Sequence, residues 1–134
     1  MKPRMSELAT FVAALWAIGP GRSELIPDVA GVLDLALQDI QDDLPPLIAG
    51  QLHFSETAVG VRCLELPQIV DWMQYAHLIE YDGSTFTKLR IMITEDTARM
   101  TMIDLGFMSA QYEPVAQRFY DAVKCRQSER RLCV

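Results

Sequence analysis

The chain has 134 residues, half of them hydrophobic, and a net charge of −6. That length suits one domain able to bury its own core, and the apolar fraction excludes a disordered tail. Seven glycines and seven prolines exclude collagen-like and low-complexity chains. No apolar run reaches the roughly 18 residues needed to span a bilayer, and the acidic balance argues against holding nucleic acid by bulk charge.

The charge is unevenly placed. Residues 1–22 carry Lys2, Arg4 and Arg22 against Glu7, a balance of +2. Residues 23–82 carry Glu24, Asp28, Asp34, Asp39, Asp42, Asp43, Glu56, Glu65, Asp71, Glu80 and Asp82 against Arg62 alone, a balance of −10. Residues 83–134 return to +2, with eight bases against six acids. Solvated faces and pairing between segments would account for this pattern; so would an acidic surface offered to a basic partner. The three cysteines, Cys63, Cys125 and Cys133, form no spaced disulfide framework and fit reduced thiols in a cytoplasm.

In chain order, Leu8, Phe11, Val12, Leu15 and Trp16 recur at helical spacing, with Ser6 as N-cap and Gly19-Pro20-Gly21 as the stop. Alanines fill the other faces, so this helix is either core or a contact with another chain. Lys2 and Arg4 ahead of it have the outline of a signal peptide, but Glu7 and the lack of an A-x-A site favour a helix. A second helix is expected to start between Ser23 and Pro27, with Val29, Val32, Leu33, Ala36, Leu37 and Ile40 inward. Asp39, Asp42 and Asp43 cluster at its C-terminal end, where acids oppose the helix dipole, so they serve binding or sit beside a basic neighbour. Leu44-Pro45-Pro46 breaks the chain.

Residues 47–64 are compatible with a short helix after the prolines and with a strand over Thr57–Leu64. Leu66, Ile69, Val70 and Met73 predict the next helix, with Pro67 in its first turn. Tyr81-Asp82-Gly83-Ser84 reads as a turn between Leu78–Tyr81 and Phe86–Ile93, where Leu89, Ile91 and Ile93 face the core. Thr94 caps a further helix with Glu95 and Asp96 in its first turn and Met100, Ile103 and Phe107 along its inner face. The last helix runs from Tyr112 to Cys125 with Val115, Ala116, Phe119, Tyr120 and Val123 on one side. The seven methionines read as adaptable core filler, with a methionine-rich contact surface as the other use. One compact domain is expected over 1–126, followed by a polar tail over 127–134.

Val59-Gly60-Val61, the helix from Leu66, then His77-Leu78-Ile79-Glu80, the β pair and Ile93-Thr94-Glu95 stand in an order that resembles a winged helix-turn-helix over about residues 47–105. It departs from that pattern at two points. His77 replaces the usual glycine, and Ser55 and Glu56 fall where the first helix of the pair should be apolar, although Phe54 and Ala58 would serve after a one-residue shift. The resemblance implies a mainly α fold with a small antiparallel β wing, a winged-helix-like core flanked by N- and C-terminal helices. A small α+β domain with an antiparallel sheet is the competing architecture.

In DNA-binding members of that family the second helix enters the major groove and the wing touches phosphate. Here that helix offers Glu65, Gln68, Asp71, Gln74 and Tyr75, and no base lies between Arg62 and Lys88. Two carboxylates would oppose the attraction to phosphate. The chain therefore reads first as a non-catalytic interaction module (adaptor, complex subunit or inhibitor) for a protein partner with a basic, nucleic-acid-handling surface. Asp39, Asp42, Asp43, Glu65 and Asp71 are its candidate contacts. A homodimer through the N- and C-terminal helices accompanies that reading. The alternative is a DNA-binding regulator using Arg62, Gln68, Gln74, Lys88 and Arg90. No enzyme is expected. His53 and His77 belong to no metal-ligand spacing, a His53–Cys63 dyad has nothing to assemble it, and no phosphate-binding loop, Ca²⁺ loop or nucleophile elbow occurs. No cofactor, metal or membrane is expected.

Overall fold

The computed structural model of the chain describes residues 5–20, 26–27, 31–82 and 88–132, with side chains at 5–20, 31–82 and 88–125. Expectations at Lys2, Arg4, Ser23, Val29, Gly83-Ser84, Phe86, Cys133 and the side chains of the tail lie outside those residues.

Helix α1 (Met5–Ile18) is the centre of the molecule. Apart from Thr10, every residue from Leu8 to Ile18 is buried. Its alanines let neighbours approach on all sides: α4 (Leu66–Tyr75), α5 (Glu95–Asp104) and α6 (Glu113–Leu132) pack around it. Phe11 anchors it in an edge-to-face triad with Phe107 and Tyr112, at centroid distances of 5.2 and 5.5 Å. Of the two uses open to such a helix, core is the one observed. Within the chain α1 is covered on every side. Ser6 lies inside the helix, where its carbonyl accepts a bond from the Thr10 hydroxyl.

The chain then contributes a two-residue strand, β1 (Ile26–Pro27), and helix α2 (Val32–Ile40). Pro27 thus belongs to a strand and not to the first turn of a helix; a proline with no N–H to donate is tolerated on an edge strand. The expected inner face of α2 is buried at Val32, Leu33, Ala36, Leu37 and Ile40, and the helix packs on α6 and against the hairpin described next. A 3₁₀ turn over Gln41–Asp43 leads through the prolines to one helical turn, α3 (Pro46–Ala49). The Gln41 amide donates to the carbonyls of Ala49 and Leu52, both at 3.0 Å, and so closes this loop on itself.

Both readings of 47–64 hold in part: α3 is the short helix after the prolines, and the strand expected over Thr57–Leu64 is found only at its Gly60–Cys63 portion, because a turn falls inside that range. β2 (Phe54–Thr57) and β3 (Gly60–Cys63) form an antiparallel hairpin with Ala58 and Val59 at the tip. The Thr57 hydroxyl accepts from the Val59 N–H and donates to the Gly60 carbonyl, while Gly60 takes φ 107°. Val59-Gly60-Val61 therefore turns between strands and not between helices.

After α4 the chain forms β4 (Ile79–Tyr81) and β5 (Lys88–Ile91), and β1 pairs on the other side of β5 to give the order β1-β5-β4. Leu89 and Ile91 are buried and Lys88 and Arg90 exposed, as the alternation predicts. Thr94 caps α5 by accepting the Thr97 N–H. The face of α5 is not the expected one. Ala98 and Met102 are buried, whereas Met100 and Ile103 are 66% and 62% exposed. The cap fixes where the helix starts, and the strip one turn apart that meets α1 is then 98 and 102. In α6, Val115, Ala116, Phe119 and Val123 are buried as expected, with Tyr120 half-buried, and the helical backbone continues through Leu132, beyond the expected end at Cys125. The molecule is mainly helical with small antiparallel sheets. No helix among the described residues is long and apolar enough to cross a membrane.

Candidate partner-binding surface

Helix α4 buries Leu66, Ile69, Val70 and Met73. At about 100° per residue the arc left to solvent runs in the order Pro67, Asp71, Tyr75, Gln68, Trp72. Trp72 is 41% and Tyr75 79% exposed. Their rings meet edge to face at 5.7 Å and 85°. Exposed aromatic pairs are uncommon on a surface with no partner, because Trp and Tyr dominate contact energies once covered. Sequence reasoning singles out Tyr75 but passes over Trp72. The signal for Trp72 is its position outside the Leu66–Ile69–Val70–Met73 stripe.

Beside this arc, on the Asp71 side, opens a cleft of about 500 Å³ between α2, β3, α4 and β4. Leu64, Leu66, Pro67, Val70 and Tyr81 give it apolar walls, and Asp34 and Arg62 are the ion pair in its lining. Asp34 is 7% exposed. One of its oxygens accepts the Cys63 N–H at 2.6 Å and the other lies 4.0 Å from the Arg62 guanidinium. Gly31, at φ 77°, makes room for that guanidinium, which a Cβ there would strike.

The expected acidic contacts divide. Asp71 and Asp42 are exposed, as is Asp39 on the outer side of α2. Asp43 pairs with Arg118 at 2.6 Å and ties the 3₁₀ turn to α6, so its place just past a helix C-terminus is matched by a basic neighbour. Glu65 is half-buried and bound to His53, accepting from its backbone N–H at 2.7 Å and meeting its ring Nδ1 at 2.8 Å. The residues expected to touch DNA divide as well. Gln68 and Lys88 are exposed and Gln74 is half-buried. Arg62 faces Asp34, and Arg90 pairs with Asp82 at 2.5 Å, so both arginines have a carboxylate of their own.

His53 and Cys63 do meet, through Glu65. The thiol lies 3.9 Å from Glu65 Oε1, whose carboxylate also holds His53. Burial, together with the charges of Glu65 and Asp34, pushes the Cys63 thiol up to about 11 against backbone N–H bonds that lower it. A thiol so held stays protonated at neutral pH and is a poor nucleophile. Among the described residues no three His, Cys, Asp or Glu side chains stand together as metal ligands. Compared with protein-family models, curated proteins and solved structures, the chain gives no match.

Proposed function

We propose that the chain is a non-catalytic protein-interaction module, acting as an adaptor, complex subunit or inhibitor, that binds a basic protein partner through the outer face of α4 and the cleft beside it. The single observation that carries this reading is that α4 displays Trp72, Tyr75 and Asp71 and no base. The scaffold supports a winged-helix-like reading: α4 runs into the β4–β5 hairpin, β1 lies beyond β5, and Thr94 caps the following helix. In that arrangement α4 is the helix that would meet DNA, and its exposed side is aromatic and acidic. The Asp71 carboxylate on that face opposes phosphate, whereas the same surface steers and selects a basic protein. A protein that handles nucleic acid has such a surface. The partner is read as a different protein, because α1 is covered within the chain and the acidic block from 23 to 82 repels its own copy.

The test uses p-benzoylphenylalanine at position 75, photolysed in cells that make the protein. We expect cross-links to a protein that are lost in the Trp72→Ala variant. The DNA-binding reading rests on exposed Lys88 and Arg90. A salt-dependent shift of duplex DNA by the pure chain, abolished by combined Lys88→Ala and Arg90→Ala, would replace the proposal with it.

A further inference from the structure

Resting on the reading of α4 as the contact face, we infer that this face is built to hold an arginine side chain of the partner, with its guanidinium stacked in the corner between Trp72 and Tyr75 and paired with Asp71.

The two rings stand nearly perpendicular, at 85°, so together they make a corner with one wall from each side chain. Asp71 lies one turn before Tyr75 on the same strip of helix, where side chains four apart are neighbours. A cation in the corner therefore has ring faces to stack on and a carboxylate within a side chain's reach. The arginines with described side chains are engaged elsewhere: Arg62 with Asp34, Arg90 with Asp82, Arg99 with Glu95 and Glu113, and Arg118 with Asp43. Arginine fits this corner better than lysine because a planar guanidinium stacks on an aromatic face and presents paired donors to a carboxylate at the same time. The acidic balance of residues 23–82, eleven acids against one base, supplies attraction to any cation; the corner supplies the preference between cations.

The experiment titrates the full chain into fluorescein-labelled Ac-(Gly-Arg)₄-NH₂, its lysine counterpart and oligo-dT of eight nucleotides, read by anisotropy. The arginine peptide is expected to bind about tenfold tighter than the lysine peptide. Tyr75→Ala and Asp71→Asn are each expected to lower arginine binding by about fivefold, while Tyr75→Phe retains it. Both positions are exposed, and circular dichroism checks the fold of each variant. Equal binding of the two peptides, indifference to Tyr75→Ala and Asp71→Asn, or tighter binding of oligo-dT overturns the arginine site. If the Tyr75-position cross-link to a protein persists in that case, the docking face stands without the arginine preference. If the cross-link itself is absent, the reading of α4 has failed.

Discussion

His77, the second residue past α4, sits at φ 60°, the one described non-glycine residue with positive φ. Its N–H bonds to the Gln74 carbonyl and the Leu78 N–H to the Met73 carbonyl, which is the Schellman arrangement that ends helices. Histidine here thus falls on a position whose backbone favours glycine. His77→Gly should raise stability by about 0.5–1 kcal/mol in urea unfolding, the relief of left-handed backbone less the extra freedom of glycine when unfolded. Asp34 works in the opposite direction. Asp34→Ala takes the acceptor from the Cys63 N–H and the counter-charge from Arg62, and should cost about 2–3 kcal/mol. Asp34→Asn, which keeps an acceptor, should cost less. Cys63 itself makes stability depend on alkali. The unfolded chain releases the thiol proton near 9 and the folded chain only near 11. Ionisation between those values therefore favours unfolding. Urea midpoints should fall as pH rises from about 9 to about 11, and Cys63→Ala should flatten part of that fall.

Among the elements, the run from α4 through β4 and β5 to the cap of α5 is legible in the amino-acid sequence. Pro67, the Leu66–Ile69–Val70–Met73 stripe, the alternation at 88–91 and Thr94 are each local signals, and local signals agree there with the packing. β1 is not legible, since two residues carry no periodicity and pair only with a strand more than sixty residues on. The hairpin at 54–63 stays ambiguous in sequence because its exposed residues offer no buried alternation to read. The inner face of α5 is misleading because Met100 and Ile103 outweigh Ala98 on hydrophobicity, although the small residue is the one that lets α1 come close. The candidate site is half legible: Tyr75 and Asp71 stand out, while Asp43 and Glu65 have internal partners that no local pattern announces. Gln41 shows how an irregular segment is held without periodicity. Gln41→Ala removes two hydrogen bonds to the 49–52 carbonyls and should cost about 1–2 kcal/mol, measured by thermal or urea unfolding.

For the whole molecule, the covering of α1 by three other helices makes it the common wall of the core. Deleting residues 1–20 should therefore give insoluble or unfolded protein; a soluble, folded shorter chain would show that the remaining helices close without it. Electrostatics acts at the same scale. The acidic middle of the chain contributes α2, the β2–β3 hairpin and α4 to one region around the cleft, so the charge met by a partner is that of several elements and not of one helix. Association should slow as salt rises above roughly 0.1 M, where screening shortens to about 10 Å.

Because α1 precedes α4, α5 and α6, which cover it, about a hundred residues are synthesised after it before its last neighbour, beginning at Glu113, exists. At about 5–20 residues per second that interval lasts roughly 5 to 20 seconds. Until α4 and α5 are made the growing chain carries an apolar helix with no mate, and the side that meets α6 stays uncovered to the end of the interval. The protein is thus more vulnerable while being made than once complete, and its yield in a cell depends on whatever shelters that helix on the ribosome.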